Sequence, residues 1–388
     1  MQPVPRISPT RTSASMRILV INWQDRTNPF AGGAEVHLHE VFSRIVGKGH
    51  HVTLLCSRFA GAPVNEVVDG MQVVRRGSRS LFNYAVPVAY RDLCQSGFDI
   101  VVEDLNKIPF FSPLFVREPL VGICHHLFRT SIFYQTNPVA AAYVFGMESL
   151  ALRLYKHRRM PFIVDSSSTF QEFLAHGFRS GNLTTVHLAV NHSLFRHTGV
   201  PKSATPLVGC FGRLKRYKGV DTLLRALPAV LKEVPDLKVV IAGEGDDRPR
   251  LERLATALKL TAAVTFTGYL PEPATVELLE KAWFTVAASI KEGWGLTVTE
   301  ANACGTPVIA SNVPGLRDSV RDRETGLLYP YGNVEALAAS MVQLVRDARL
   351  RDELGRNALA YAKEFTWDKA AEGTLAVLTR VAQKGGPR

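Results

Sequence analysis

The sequence predicts an α/β protein of two doubly wound domains facing each other across a cleft, and three observations carry that prediction. The chain has 388 residues, more than the ~250–300 at which a single hydrophobic core stops growing. A unit of apolar strand, glycine loop, helix and second strand begins near residue 17 and again near residue 207, and such units build parallel sheets with helices on both faces. The two halves also differ in chemistry. All 11 histidines lie between His37 and His197, and residues 1–200 carry 20 Lys/Arg against 13 Asp/Glu, whereas residues 201–388 carry 26 against 22.

The elements follow in order. Residues 1–15 hold Pro3, Pro5, Pro9, Arg6 and Arg11 with no acidic residue, and read as a disordered tail. No amphipathic or apolar core follows these basic residues before Met16, which argues against a transit peptide and makes Met16 a candidate start. The continuous apolar run 17–22 reads as a strand buried on both faces. The loop with Gly32-Gly33, a helix over 34–48 and a strand over 51–56 complete the first unit. Strands are predicted at 99–103, 120–124 and 162–164. Between them, a helix over 140–159 places Tyr143, Met147, Leu150 and Leu154 on one stripe and Ser149, Arg153 and Lys156 opposite. Pro201 and Pro206 bracket the linker. The second unit is a strand at 207–211, a loop from Gly212 to Lys218-Gly219, a helix at 220–233 and a strand at 237–242. Strands at 264–266, 284–287 and 307–310 follow, with closing helices at 337–354 and 370–381. The domain reading is a tail (1–15), an N-terminal domain (16–200), a C-terminal domain (201–365), and a helix and tail (366–388) packing back on the N-terminal domain.

Composition narrows the function. Hydrophobic residues are 46% and charged residues 21% of the chain, ordinary for a globular protein. No apolar run approaches ~18 residues, which excludes a transmembrane helix. Five widely spaced cysteines argue against a disulfide framework or zinc cluster and for a reducing cytoplasm. A net charge of +11 gives a surface that attracts nucleic acid, anionic lipid or phosphorylated substrates.

Two constellations carry chemistry. In Glu292-Gly-Trp-Gly-Leu-Thr-Val-Thr-Glu300, glycines precede a helix start at the end of a predicted strand. A helix N-terminus aimed into a cleft is an anion site. Glu292 sits in the loop and Glu300 about one turn inside the helix, so one carboxylate reaches the sugar end of a nucleotide ligand and the other its ribose. In Gly212-Arg-Leu-Lys-Arg-Tyr-Lys-Gly219, cations follow a strand end. Arg213 and Lys218, flanked by the glycines, suit a diphosphate; Lys215 and Arg216 read as solvated. Neither half has a full Gly-x-Gly-x-x-Gly between its first strand and helix, against a dinucleotide-dependent dehydrogenase.

Six motifs in order resemble the donor domain of retaining glycosyltransferases of family 4 (group 1), which have the GT-B fold. They are Gly212-Arg-Leu with Lys218-Gly219, Ala242-Gly-Glu-Gly245, Phe266-Thr-Gly-Tyr-Leu270, Glu292-Gly-Trp-Gly-Leu with Glu300, Ala303-Cys-Gly-Thr-Pro-Val308, and Thr325-Gly-Leu327. In the N-terminal half, Asn28-Pro-Phe-Ala-Gly-Gly-Ala-Glu35, Leu120-Val-Gly-Ile-Cys-His125 and Phe162-Ile-Val-Asp-Ser166 are similar to the family's glycine loop, histidine-bearing strand end and serine-ended strand. Leu188-Ala-Val-Asn191 departs from the family's Asn-Gly-Val-Asp. The resemblance implies two Rossmann-like domains and a catalytic set of His125, Glu292, Arg213 and Lys218. It implies diphosphate contacts from Gly33, Arg213, Lys218, Leu296 and Thr297. It implies donor-sugar contacts from His125, Glu292, Gly293, Trp294 and Gly295, ribose contact from Glu300, and Tyr269 and Leu270 beside the base.

Other polar residues are weighed separately. Alternation along a strand lets at most one of His125 and His126 face the cleft, and the resemblance favours His125. His37 and His39, spaced i and i+2, fall on different helix faces and read as a solvated or acceptor-facing helix, not a metal site. Glu103, Asp104 and Asn106 follow a strand end on the acceptor side. The expected activity is retaining transfer of a sugar from a nucleoside-diphosphate sugar to an acceptor hydroxyl, as a metal-independent enzyme with no cofactor beyond that co-substrate. The alternatives are an epimerase or hydrolase of sugar nucleotides, or a non-catalytic nucleotide-binding module. Expected partners are the nucleotide-sugar donor and a sugar, lipid-linked or small-molecule acceptor, with no nucleic acid. The expected location is the cytoplasm, with peripheral contact at the inner membrane leaflet as a further reading.

Overall fold

The computed structural model describes residues 15–106 and 108–384; the tail expectation for residues 1–14 lies outside them. The first sheet comprises β1 (Arg17–Ile21), β2 (His51–Arg58), β3 (Asn65–Val68), β4 (Met71–Ser78), β5 (Ile100–Asp104), β6 (Leu120–Cys124), β7 (Phe162–Val164) and β8 (Leu183–Thr185) in the order β3-β4-β2-β1-β5-β6-β7-β8. The second comprises β9 (Leu207–Phe211), β10 (Lys238–Ala242), β11 (Val264–Gly268), β12 (Phe284–Ala287), β13 (Val308–Ser311) and β14 (Gly326–Tyr329) in the order β11-β10-β9-β12-β13-β14. All pairings are parallel except β3 with β4. Ile18, Leu19, Val20 and Ile21 of β1 are all buried, as expected of a strand covered by helices on both faces.

The N-terminal domain carries α1 (Gly33–Gly47), α2 (Phe82–Leu93), α3 (Pro138–His157) and α4 (Ser167–Ala175). The C-terminal half carries α5 (Val220–Glu233), α6 (Arg248–Ala257), α7 (Glu272–Lys281), α8 (Leu296–Ala303), α9 (Leu316–Ser319), α10 (Val334–Arg346), α11 (Ala348–Ala362) and α12 (Trp367–Lys384). The single helix read over 337–354 is two. Asp347 separates α10 from α11, and its carboxylate caps α11 by accepting from the Leu350 amide at 2.9 Å. In α12 the chain crosses back. Ala370, Ala371, Val377 and Leu378 pack into one core with Leu38, Val41, Phe42 and Ile45 of α1. Ion pairs Arg44–Asp368 (2.9 Å) and Lys48–Glu372 (3.1 Å) edge that contact.

In α3 the apolar stripe read from the sequence is not the face that packs on the domain. The stripe that packs on the domain is Ala141, Val144, Glu148, Ala151, Leu152 and Tyr155, while Tyr143 and Leu150 are exposed. Glu148 misleads because it is charged yet buried. Its carboxylate accepts the backbone amides of Phe128 (2.7 Å) and Arg129 (2.8 Å), which satisfies it in place of water. Among the described residues no helix is long and apolar enough to cross a membrane.

Candidate active site

The carboxyl ends of the two sheets face one cavity of about 1410 Å³ lined from both domains, the place where α/β sheets bind ligands. On the C-terminal side, β12 runs into a loop that ends at Gly295, the N-cap of α8. The first-turn amides of Leu296 and Thr297 have no intrahelical partner, and both residues line the cavity, as do Gly293 and Gly295. Opposite them is the N-terminus of α1. Glu35 caps that helix by accepting the Gly32 amide at 2.7 Å, and Gly33 is so near that a Cβ there would stand 3.0 Å from Leu296. Two helix N-termini thus face each other, each carrying a partial positive charge.

The cations come from the turn after β9. Gly219 has φ +65°, and a Cβ on it would meet the Ala288 carbonyl oxygen at 2.2 Å. A glycine here therefore lets the turn press Lys218 against the loop after β12. The Lys218 ammonium donates to Glu292 at 2.6 Å, and the Ser289 hydroxyl donates to the same carboxylate oxygen at 2.6 Å. Burial alone would lower the Lys218 pKa, but the Glu292 charge outweighs it and holds the ammonium above its ordinary range. Arg213 stands in the cavity with its guanidinium toward Gly32 of the other domain, 3.3 Å from where a Cβ would be. Glu300 lines the cavity one turn into α8, and burial, helped by the Glu272 charge, pushes its carboxyl up to about 7.

On the N-terminal side, β5, β6 and β7 end together and bring Asp104, His125 and Asp165 into contact. His125 Nδ1 lies 3.1 Å from Asp165 and Nε2 lies 3.8 Å from Asp104. Burial opposes a charged ring, but the two carboxylates overcome it and lift His125 to about 10. The loop after β12 seats on this group: a Cβ on Gly293 would stand 2.8 Å from the His125 carbonyl oxygen and 2.9 Å from the Asp165 carboxylate. A side chain at 293 would push the domains apart.

The structure therefore gathers Gly33, His125, Arg213, Lys218, Glu292, Gly293, Gly295, Leu296, Thr297 and Glu300 around one space. The other expected residues stand as follows. Tyr269 and Leu270 do not line the cavity, and Tyr269 is 74% exposed. Trp294 reaches the wall, but its ring is buried between His187 (4.7 Å) and Phe365 (4.9 Å) as domain packing. His126 lines the cavity together with His125, because β6 has ended at Cys124 and strand alternation no longer applies. His37 and His39 are buried, not solvated: His37 packs edge-on to His125 with centroids 5.0 Å apart, and His39 pairs with Asp69 at 2.8 Å. Glu103 is fully buried off the cavity wall and accepts from the amides of Phe110 and Ser112 and from the Tyr155 hydroxyl. Asn106 lines the cavity. Lys215, paired with Asp246 at 2.8 Å, and Arg216 stand at its edge. Sequence reasoning missed Asp165 as a site residue, although its place immediately after a strand end facing the cleft was a usable signal. It also missed Arg79, which stacks on Phe30 at 4.1 Å on the cavity wall.

Comparison with known proteins agrees with this architecture. The family model described as Glycosyltransferase Family 4 matches residues 31–194, and the one described as Glycosyl transferases group 1 matches residues 195–360. The D-inositol 3-phosphate glycosyltransferase of Acidothermus cellulolyticus is 38% identical over 185 residues, 44% of this chain and 41% of that protein. The protein of the same name from Streptomyces bingchenggensis is 32% identical over 288 residues, 67% of this chain and 61% of that protein. The chain thus spans less than two thirds of the length of either relative. Among solved structures, sucrose-phosphate synthase from Thermosynechococcus elongatus superposes with a TM-score of 0.79 at 22% identity, over 95% of this chain and all of that one. Anabaena Alr3699/HepE, solved with UDP and glucose, gives 0.74 at 19%, over 94% of this chain and all of that one. With consecutive halves of the chain matching the two parts of one family and both sheets arranged as in those structures, the chain belongs to the group 1 glycosyltransferases of family 4, with the GT-B fold.

Proposed function

We propose that this chain transfers a sugar, with retention of configuration, from a uridine-diphosphate sugar to an acceptor hydroxyl. The observation that carries the reading is the convergence of Arg213, Lys218 and two opposed helix N-termini on one cavity that also holds Glu292 and Glu300. The departing group is a nucleoside diphosphate, so catalysis is chiefly electrostatic stabilisation of developing charge together with positioning. Arg213, Lys218 and the amides of Leu296 and Thr297 take the diphosphate, with Gly33 closing from the other side. Glu300 accepts from ribose hydroxyls, and Glu292 from the donor sugar with His125 opposite. Uridine as the base is supported by the Anabaena structure with UDP and glucose, and a phosphorylated cyclic polyol as acceptor by the names of the curated relatives. In this reading residues 16–200 hold the acceptor, residues 201–365 the donor, and residues 366–388 tie the two.

The test is direct. Incubation with UDP-glucose or UDP-N-acetylglucosamine and D-inositol 3-phosphate is expected to give a glycosylated product by mass spectrometry. Arg213→Ala and Lys218→Ala should each lose charge-assisted bonds of ~1.5–3 kcal/mol, lowering kcat/KM at least tenfold with the fold intact. Undiminished turnover in both variants rejects the donor site. A peripheral membrane contact is supported by the exposed Val139, Tyr143 and Leu150 of α3 beside Tyr84 of α2, whose hydroxyl meets that of Tyr143 at 3.4 Å. Arg153, Lys156, Arg158 and Arg159 are exposed at the far end of α3, and near an anionic surface each cation contributes ~1 kcal/mol. Salt-sensitive co-sedimentation with anionic but not neutral vesicles is expected, and its absence at low salt ends the proposal.

A further inference from the structure

The three strand ends behind the cavity contain a charge arrangement that the donor reading does not use. His125 faces a carboxylate at each edge of its ring, Asp165 3.1 Å from Nδ1 and Asp104 3.8 Å from Nε2. An ionised carboxylate only accepts hydrogen bonds, and a neutral imidazole has one N–H to give. Nδ1 hydrogen-bonds Asp165, while Asp104, too far from Nε2 for a hydrogen bond, places a second negative charge beside the ring, and together they favour the form protonated at both nitrogens. The groups packed around it do not offset this. His37 of α1 lies perpendicular at 5.0 Å and is kept neutral by complete burial. Glu35, also on α1, has its carboxyl raised by burial and adds negative charge when ionised. His187 turns its Nδ1 to the Asp165 carbonyl oxygen at 2.9 Å. Among the described residues both oxygens of Asp104, Oδ1 of Asp165 and Nε2 of His125 have no hydrogen-bond partner, so the Nε2–H is left for a ligand in the cavity.

We propose that Asp104 and Asp165 are positioning residues that hold His125 as a fixed imidazolium on the cavity wall, where it gives the bound donor a cation and an N–H and never takes a proton as a base. The proposal rests on the donor reading for what the imidazolium touches, but not for its charge. The lift of His125 to about 10 agrees with the geometry. The consequence is specific to the reaction: the proton lost by the acceptor hydroxyl leaves to the departing diphosphate or to water, because His125 has no vacant nitrogen to receive it.

Histidine-selective labelling of the full chain, with His125 assigned by its loss in His125→Gln, reads the charge directly. In the unaltered protein the His125 ring signals are expected to stay at imidazolium positions from pH 5.5 to 8.5. Asp165→Asn keeps an oxygen for Nδ1 but removes a charge, and should bring the His125 midpoint down into the titrated range; Asp165→Glu should restore it. Hydrolysis or transfer from UDP-glucose should vary less than about twofold between pH 6 and 8.5 in the unaltered protein. In Asp165→Asn it should fall ~10-fold as pH rises, as the ring deprotonates. A midpoint below pH 8 for His125 in the unaltered protein overturns the proposal, and so does an Asp165→Asn variant whose ring stays charged. If neither UDP-glucose nor UDP-N-acetylglucosamine is turned over at all, the donor reading fails and the ring titration still decides the charge.

Discussion

In the proposed reading Glu300 takes the ribose, and its surroundings give that role a test. Its carboxyl is pushed up to about 7 by burial and by Glu272, against an ordinary value of 4.5. A carboxylate accepts from ribose hydroxyls better than a carboxylic acid does, so donor affinity should rise with pH through about 7. UDP-glucose has no phosphate titrating there, and calorimetry between pH 6 and 8.5 should show tighter binding at the high end. Glu300→Gln should bind more weakly and lose the pH dependence. Equal slopes for the two proteins would remove Glu300 from the ribose site. The sequence showed Glu300 and Glu292 because their spacing across a helix start is local. It did not show that Glu292 would share an oxygen contact with both Lys218 and Ser289, or that His125 would stand between two aspartates. Those groupings are made by strands far apart in the chain, and one sequence contains no register between them.

At the scale of elements, the glycine loop is held from behind by β4. Arg75, fully buried on that strand, donates to Asp25 at 2.7 Å and to Glu66 at 2.8 Å, and Asp25 accepts the Thr27 amide at 2.9 Å just before the loop reaches Gly32-Gly33. Burial would raise Asp25, but hydrogen bonds from Arg75 and Thr27 outweigh it and hold the carboxyl at about 2. A depressed carboxyl contributes stability above its unfolded pKa of ~3.9 and loses it as pH falls toward 2. Stability of the N-terminal domain should therefore drop over that interval. Arg75→Met leaves buried carboxylate charge unpaired and should cost ~3–5 kcal/mol in urea unfolding, much of it recovered in the Asp25→Asn, Arg75→Met double variant. A loss below 1 kcal/mol would show that the loop stands without this pair. The strand carrying Arg75 was passed over in the sequence, since Arg75-Arg76 interrupts its apolar pattern and reads as surface. Asp69-Gly70, both with positive φ, was the available hairpin signal for β3 and β4. By contrast, β1, β2, β5, β6, β7, the strands β9 to β13 and α5 were legible within a residue or two, because a strand covered on both faces or a helix with one apolar stripe declares itself in composition, whereas the short strands β8 and β14 carried too brief an apolar run to be read.

At the scale of the whole molecule, α12 decides how the N-terminal domain holds together. Trp367, Ala370, Val377 and Leu378 belong to its core, and the flanking ion pairs are exposed and contribute little. Leu378→Ala should cost ~2–5 kcal/mol through the cavity it leaves. Residues 16–200 produced alone should fail to give a cooperative thermal transition, and joining residues 362–384 to that fragment through a flexible linker should restore one. A cooperative transition in the bare fragment would reduce α12 to a surface strap. The sequence marked a closing helix here, and its partner follows from the apolar faces: α1 and α12 each expose an incomplete stripe that the other covers.

That exchange has a consequence for biosynthesis. A chain leaves the ribosome from its first residue, and the stretch between Gly47 at the end of α1 and Trp367 at the start of α12 takes on the order of 15–60 s to make at ~5–20 residues per second. Throughout that interval Leu38, Val41, Phe42 and Ile45 have no native partner in α12, while the C-terminal sheet, contiguous from β9 to β14, has its strands in hand sooner after they emerge. The later-synthesised domain is thus placed to fold first, and the N-terminal domain waits, a client for chaperones, until the last helix arrives.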